Sequence, residues 1–228
     1  MRGRGLKQTV RNLLNADAFD ASLRELCMLP ARQVINPLFS FLVHSDENLR
    51  WRAITAMGAV VENLAREDME SARVIVRRLM WSLNDESGGI GWGAPEALAE
   101  IMARHEGLAR EYSHMLISYM DYEGNFLEYE GLQRGVLWGL VRLARVRPQI
   151  IAEAGVHLQK YLESSDATIR GLAAWASGLL GAQETRPRLQ LLVNDDSLLR
   201  LYIDNEFTQM RVRDLAEEAL ILLEPRGD

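Results

Sequence analysis

The stretch Ile169-Arg170-Gly171-Leu172-Ala173 begins a run of small apolar residues, and four degenerate copies of it occur elsewhere in the chain. Each copy begins with an apolar residue, and most continue with an arginine. The starts of successive copies are 41, 42, 37 and 41 residues apart. A period near forty with two helices per unit is typical of stacked helical repeats. The copies are Leu49-Arg50-Trp51-Arg52-Ala53-Ile54, Ile90-Gly91-Trp92-Gly93-Ala94, Leu132-Gln133-Arg134-Gly135-Val136, the stretch at 169, and Met210-Arg211-Val212-Arg213-Asp214.

The helix signals between these copies predict an all-α chain. Apolar residues at helical spacing predict helices over 46–65 and 68–83, and later pairs over 131–146 with 148–163 and 166–180 with 184–193. Asp17 and Asp46 are expected to cap two of the helices. We therefore predict an α-solenoid of about five HEAT/armadillo-like helix pairs. Because the repeats are unbroken, the chain is expected to form a single HEAT-like repeat domain over 1–228.

A second kind of pattern appears at 199–208, where polar and apolar residues alternate around Asp204-Asn205. Alternation around an Asp-Asn turn predicts a short β-hairpin. Because a hairpin can cover the open end of a repeat stack, we interpret this segment as structural.

Composition places the chain among ordinary globular proteins, with 48% hydrophobic and 25% charged residues. The sequence contains no run of eighteen apolar residues, so it predicts no membrane-spanning helix. The basic N-terminus lacks the apolar core of a secretory signal. The single cysteine, Cys27, lies in an apolar run and excludes a disulfide framework. We therefore expect a cytoplasmic protein.

Charge is distributed unevenly along a chain of net charge −6. The stretch 84–130 contains ten acidic residues, opposed only by Arg104 and Arg110. Such a region favours a protein partner with a basic surface and argues against binding of a nucleic-acid backbone. A solvated acidic surface without a partner is the alternative, and the sequence does not decide between them.

The glycine-rich loop 87–93 is the segment least explained by packing, because it has four glycines in six residues directly before a predicted helix. Glycine lets a backbone approach a ligand closely, but the loop lacks the lysine of a phosphate-binding loop. Both a ligand-binding loop and a structural turn remain open. The candidate binding residues, which include acidic residues of the next inter-helix loop, are Trp81, Asp85, Glu86, Gly89, Gly91, Trp92, Glu96, Asp121 and Glu123.

Trp81 is the aromatic residue with the clearest functional alternative. It lies about half a turn from the apolar stripe of its helix, on the face shared with Val74 and Arg77. Packing against a neighbouring repeat is the favoured interpretation, because a solenoid helix can bury two faces. The other interpretation is an anchor in a binding groove beside the glycine-rich loop.

Metal and catalytic sites have weak support in this sequence. Glu111 and His114 form a Glu-x-x-His pair, and Glu96 and Glu100 share one face of the preceding helix. A second Glu-x-x-His pair, which di-iron bundles require, is absent from the sequence. These four residues are therefore only weak metal candidates, and we predict no catalytic residue, no metal site and no cofactor.

The run Asp166-Ala-Thr-Ile169-Arg170-Gly-Leu-Ala-Ala-Trp-Ala-Ser-Gly178-Leu-Leu-Gly181 resembles HEAT-like repeats of the phycobilisome-lyase type. More narrowly, Asn36-Pro-Leu-Phe-Ser-Phe-Leu42 together with the segment 81–96 is similar to a HEAT-like family of sulfate-reducing bacteria that has no assigned activity. The resemblance covers nearly the whole chain. It implies a fold and carries no catalytic residue across, because fold does not determine function.

These observations favour a non-catalytic protein-interaction or scaffold module. Its partner would be a protein, held on the concave face of the repeats or at the acidic central loops. The alternatives are a HEAT-like enzyme of the DNA glycosylase type, which the tryptophans permit and the acidic middle disfavours, and a metal-binding accessory protein. We expect neither a membrane nor an obligate small molecule as partner.

Overall fold

The computed structural model describes residues 3–83 and 91–225, with side chains from Gly5 onward. Contacts divide the chain into two compact units, Met1–Ala109 and Arg110–Asp228. The prediction of a single repeat domain stays a prediction, and each unit is described by itself below. No helix in the described residues is both long and apolar enough to cross a membrane.

The first unit consists of helices that pack around a long central one. The helices are α1 (Gly3–Leu14), α2 (Phe19–Met28), α3 (Ala31–Leu42), α4 (Glu47–Glu67), α5 (Met69–Leu83) and α6 (Ala94–Arg104). Helix α4 contacts each of the other five. Because it is enclosed by neighbours, α4 buries residues all round its axis, including Ile54, Met57 and Val61.

Capping side chains explain where the central helices begin. Asp46 accepts a hydrogen bond from the Leu49 N–H at 3.1 Å and starts α4, as predicted. Asp68 accepts one from the Ser71 N–H at 3.1 Å and starts α5 in the same way. The cap predicted at Asp17 is wrong: the residue before α2 is Ala18, and no side chain caps this helix. The Asp17 carbonyl instead accepts a hydrogen bond from the Phe19 N–H, which turns the chain just ahead of α2.

The second unit packs its helices around α9. Helix α7 (Glu106–Ser118) contains the boundary between the units, and the elements after it are α8 (Glu130–Ala144), α9 (Ala167–Leu180), α10 (Arg186–Leu192), β1 (Leu198–Ile203), β2 (Glu206–Arg211) and α11 (Val212–Leu222). Helix α9 contacts α8, α11 and β1. Asp166 caps it by accepting a hydrogen bond from the Ile169 N–H at 2.9 Å. Gly181 ends it with a φ of +67°, the left-handed conformation that glycine adopts readily.

The helix predicted over 148–163 is the main departure from regular repeats. The structure has two 3₁₀ segments there, Pro148–His157 and Gln159–Glu163, and the first is kinked at Ile151 with φ −125° and ψ 21°. The segment contains adjacent β-branched residues and Gly155, all of which have low helix propensity. Buried residues such as Leu158 and Leu162 still hold it against the rest of the unit.

The predicted hairpin is confirmed as β1 and β2, which pair antiparallel from Leu198 opposite Arg211 to Ile203 opposite Glu206. Asp204 and Asn205 both have positive φ, 50° and 70°, as the tight type I′ turn requires. The indole N–H of Trp138 on α8 donates to the Tyr202 carbonyl at 2.8 Å and fixes the hairpin to the second unit.

Arginines in three of the five repeated stretches bind a neighbouring segment of their own unit. In the first unit, Arg52 donates to the carbonyls of Leu14 and Ala16, both at 2.9 Å. In the second, Arg134 on α8 pairs with Asp166, the residue that caps α9.

The same arrangement continues one repeat later. Arg170 on α9 binds Asp195 through Nη2 at 2.6 Å and donates to the Ser164 carbonyl at 2.8 Å. Arginines in these three copies therefore make structural contacts, although the Arg134 side chain is still 49% exposed.

Candidate functional site

Trp81 is exposed to solvent, with 77% of its surface accessible. Helix geometry places it on the same line of α5 as Val74, two turns earlier, which is 53% exposed. The favoured interpretation of Trp81 as a packing residue is therefore wrong, because the described residues of the first unit leave most of its surface accessible. Its role as an anchor for a partner stays a prediction.

The glycine-rich loop is described only at its C-terminal end; Asp85, Glu86 and Gly89 lie outside the described residues. A Cβ on Gly91 would lie 2.8 Å from the Ser82 carbonyl oxygen. One on Gly93, which has a φ of +73°, would lie 2.9 Å from the Leu42 carbonyl oxygen. These two glycines are required by close backbone packing, so this end of the loop is a structural turn. Between them, Trp92 is 37% exposed.

Glu96 lies in the first turn of α6 and is only partly accessible, and its Oε2 is buried without a hydrogen-bond partner. Burial raises the pKa of this carboxyl from 4.5 to about 7, and a hydrogen bond from its own backbone N–H and the charge of Arg50 oppose the shift only in part. An unpartnered buried carboxylate is costly. Among the candidate residues that the structure describes, Glu96 therefore has the most perturbed environment, and it holds a proton over part of the neutral pH range.

The weak metal candidates do not form a cluster. Glu100 is buried, and its Oε1 accepts a hydrogen bond from Nε of Arg104 at 2.6 Å. Glu111 and His114 are exposed on α7. Within 3–83 and 91–225, no group of three or more His, Cys, Asp or Glu side chains could hold a metal ion. Glu100 is better described as part of a structural ion pair.

Asp121 and Glu123 lie in a compact loop of the second unit, the 119–129 loop. Asp121 Oδ1 accepts a hydrogen bond from the Glu123 N–H at 3.1 Å. Asn125 donates through its backbone N–H and its side-chain amide to the Ser118 hydroxyl, at 3.0 and 2.8 Å. Local hydrogen bonds thus fix the shape of this acidic loop, and Tyr122 beside the two acids is 70% exposed.

Lys160 contacts the 119–129 loop and holds it in place. Its ammonium donates to the Met120 carbonyl and lies among the rings of Tyr122, Phe126 and Tyr161. Burial lowers the pKa of this ammonium, and the nearby Asp121 partly opposes that shift. The loop that carries two of the candidate acids is therefore pre-formed.

A surface that the sequence analysis did not predict lies on α3 in the first unit. A depression of about 480 Å³ separates α3 from α1, and one of about 250 Å³ separates α3 from α5. Arg32 and Asn36 border both, so the two depressions adjoin along one helix. We call this region the α3 surface; its other lining residues include Leu6, Lys7, Gln33, Pro37 and Ser40 on one side and Ile35, Leu64, Ser71, Val74, Ile75 and Arg78 on the other.

Two arginines on the α3 surface are held by neighbouring groups. Arg32 Nη2 donates to Asp68 at 3.1 Å and to the Ser71 hydroxyl at 3.2 Å. Arg78 Nη1 donates to Asn36 Oδ1 at 2.6 Å, and its guanidinium lies 3.9 Å from the centre of the Phe39 ring. These contacts orient the guanidinium groups, and both side chains stay exposed.

The helices that form this surface have a charge opposite to that of the whole chain. Helices α1, α3 and α5 contain seven basic residues and one acidic residue, Glu70, in a chain of net charge −6. This signal was present in the sequence, because α1 and α3 contain no acidic residue at all. A sum of charge along the chain hides this excess, which is visible only when charge is counted helix by helix.

No protein-family model matches the chain. An uncharacterised protein of Archaeoglobus fulgidus is 26% identical over 182 residues, which cover 79% of this chain and 92% of that protein. The comparison with sequences therefore identifies a relative and no activity. The narrower resemblance to a family of sulfate-reducing bacteria stays an expectation.

The solved structures similar to this chain include designed and engineered proteins. A designed armadillo repeat protein in complex with the peptide (KR)4 matches with a TM-score of 0.54 at 18% identity, over 96% of this chain and 99% of that chain. An engineered protein matches with a TM-score of 0.55 at 17% identity, over 96% of each chain. At these identities the likeness concerns the fold, and it confirms the predicted class: armadillo-like helical repeats with one small hairpin.

Proposed function

We propose that this chain is a non-catalytic protein-interaction module that holds an extended segment of a partner protein on the α3 surface. The observation that carries the proposal is the pair of adjoining depressions on either side of α3. An extended peptide needs a long shallow groove with alternating apolar and hydrogen-bonding positions. The lining residues provide both kinds of position along one helix.

Backbone groups of α3 add to this support. Pro37 has no N–H, so the Gln33 carbonyl lacks its regular helical donor four residues later. Both residues line the depression next to α1. The amide side chains of Gln33 and Asn36 are exposed beside them. A partner's backbone would find acceptors and donors here without unfolding any part of α3.

Trp81 extends the proposed site along α5. It is exposed on the same line of the helix as Val74, which borders the depression between α3 and α5. Exposed tryptophans are frequent energetic anchors in protein interfaces. In this proposal the Trp81 ring closes over the partner at the C-terminal end of α5 and slows its dissociation.

The acidic central residues support a second contact, made with a basic part of a partner. Asp121 and Glu123 are presented by a pre-formed loop beside the exposed Tyr122. If these acids attract a partner, association slows as salt rises, since exposed charges are screened over about 8 Å at physiological ionic strength. Replacement of Asp121 and Glu123 by Asn and Gln then lowers the association rate more than it raises the dissociation rate.

A displayed library of random dodecapeptides, panned against the immobilised full chain, tests the proposal. Enriched peptides are measured by fluorescence anisotropy against two matched variants, Val74→Trp and Val156→Trp. Both valines are exposed, at 53% and 71%, but only Val74 borders the α3 surface. We expect a loss of affinity of at least tenfold for Val74→Trp and none for Val156→Trp.

Two results contradict the proposal. One is the failure of any peptide to be enriched above an empty support. The other is an equal loss of affinity in both variants, since a bulky ring at Val156 does not obstruct the depression. Release of an alkylated base from duplex DNA by the full chain would instead favour the glycosylase-type alternative.

A further inference from the structure

We propose that the segment bound on the α3 surface is acidic, with carboxylates that meet Lys7, Arg32 and Arg78 and an apolar side chain that enters the depression between α3 and α5. This inference rests on the proposed function and adds the chemical class of the ligand. The partner is thus a protein with an acidic and apolar linear segment.

The charge of the surface is the first argument. Three of the residues that line the α3 surface are basic, Lys7, Arg32 and Arg78, and none of its lining residues is acidic, although the whole chain has a net charge of −6. Asp68 adds a carboxylate at the edge, and Arg32 binds it. A local excess of positive charge on an acidic protein attracts anionic groups and repels basic segments.

The arginines on this surface can bind a ligand without breaking their present contacts. The Arg32 side chain is 78% exposed, and its bonds to Asp68 and Ser71 both start from Nη2. A guanidinium has five N–H donors in a planar fork that suits a carboxylate. The contacts of Arg78 with Asn36 and Phe39 pre-orient its guanidinium in the same way.

The apolar lining of the smaller depression favours a peptide over a nucleic acid as the ligand. Ile35, Leu64, Val74 and Ile75 line it, and Arg32 and Arg78 line the same depression. A phosphodiester backbone has no apolar group to place there, whereas a peptide with leucine or isoleucine between acidic residues does. Mixed apolar and cationic lining therefore favours an acidic peptide.

The test uses the full chain and four fluorescein-labelled probes. The first is a dodecapeptide of repeated Glu-Glu-Leu, the second has Ser in place of each Leu, the third is (Lys-Arg)4, and the fourth is a dodecamer of oligothymidylate. The variants are Arg32→Glu and Arg78→Glu on the α3 surface. Arg24→Glu, an exposed position on α2, is the matched control.

We expect the Glu-Glu-Leu probe to bind at least tenfold more tightly than each of the other three probes. Its affinity should fall at least tenfold in Arg32→Glu and Arg78→Glu, remain within twofold in Arg24→Glu, and weaken as salt rises. Circular dichroism of each variant verifies that the helices are intact.

Each other outcome overturns the inference in a distinct way. If (Lys-Arg)4 binds best and Val74→Trp blocks it, the ligand class is wrong but the peptide-binding function stands. If the oligothymidylate binds best, or if no probe and no displayed peptide binds, the proposed function fails as well. A dimer of the chain that Arg32→Glu dissociates, seen by light scattering, would make a second copy the occupant.

Discussion

The ammonium of Lys160 lies 3.7 Å from the centre of the Tyr122 ring, although most of that ring faces solvent. Phe126 and Tyr161 complete the set of rings, at 4.8 and 5.1 Å. The chain has 24 arginines and only two lysines. A compact ammonium fits among three rings where a planar guanidinium would need more room. Lys160 is thus at a position where a compact ammonium group fits better than a guanidinium.

Replacement of Lys160 by methionine removes the charge and preserves most of the side chain's bulk. We expect the free energy of unfolding to fall by about 1–2 kcal/mol, because the cation–π contacts and the hydrogen bond to Met120 are lost. Amide hydrogen exchange in the 119–129 loop should accelerate. Urea denaturation and exchange measured by mass spectrometry check both. Arg24→Met, at an exposed position on α2, is the control and should change stability by less than about 0.5 kcal/mol.

Trp81 and Trp175 should respond in opposite ways to replacement by alanine. Trp81 is 77% exposed, so Trp81→Ala should change the free energy of unfolding by less than about 0.5 kcal/mol. Trp175 is 8% exposed and donates a hydrogen bond to Glu218 at 3.0 Å, so Trp175→Ala should cost about 3–5 kcal/mol. Denaturant titration of both variants is the measurement. An unfolded Trp81→Ala would place that ring in the core and remove it from the proposed site.

Glu96 should make stability depend on pH in an unusual direction for a carboxyl group. Its folded-state pKa of about 7 lies above its ordinary value of 4.5. The folded state therefore binds the proton more tightly, and the stabilisation is complete below pH 4.5 and is lost as the pH rises to about 7. Glu96→Gln cannot ionise. We expect it to be more stable than the wild type by about 1–3 kcal/mol at pH 8 and equally stable at pH 4.5.

Thermal unfolding of Glu96→Gln and the wild type between pH 4.5 and 8 measures this effect. Glu67→Gln, at an exposed position at the end of α4, is the control and should leave the difference constant with pH. A difference between Glu96→Gln and the wild type that does not grow with pH would mean that the Glu96 carboxylate has a partner in solution.

Replacement of Gly178 and of Gly181 by alanine should lower stability for different reasons, the first steric and the second conformational. A Cβ on Gly178 would lie 2.5 Å from the Cα of Ala219 on α11, whereas one on Gly181 would meet nothing within 4 Å. Gly178→Ala must push α9 and α11 apart, at a cost of about 2–3 kcal/mol. Gly181→Ala should cost only about 1 kcal/mol, for a left-handed φ. Denaturant titration ranks the two, and the reverse order would contradict the close helix contact.

The sequence was sufficient for features that depend on local chemistry. The spacing of the repeats predicted the helical class, and Asp46 and Asp204-Asn205 identified a helix start and a hairpin turn. In each case a side chain or backbone conformation acts within three residues of its own position. The prediction that Asp17 caps a helix was wrong, and the cause is also local. The Asp17 carbonyl accepts a hydrogen bond from the Phe19 N–H in a turn before the helix.

Features that depend on which helices become neighbours could not be predicted in this way. The α3 surface combines residues of α1, α3, α4 and α5, and its excess of basic residues is hidden when charge is summed along the chain. Trp81 was expected to pack because the helical pattern alone does not tell which faces of α5 are covered. The 3₁₀ segments over 148–163 retain the apolar spacing of a helix, so periodicity did not distinguish them.

The ion pairs of Arg134 with Asp166 and of Arg170 with Asp195 bear on how a repeat of this protein could be transplanted. Each arginine belongs to one repeat, and its aspartate lies in the turn that precedes the next helix or hairpin. A fragment that ends with the second helix of its repeat, before Asp166 or Asp195, would leave an arginine without its carboxylate. For Arg170, whose side chain is only 16% exposed, a guanidinium without its partner is destabilising. The transferable building block is therefore a helix pair together with the first acidic residue that follows it, and chimeras should be joined after that residue.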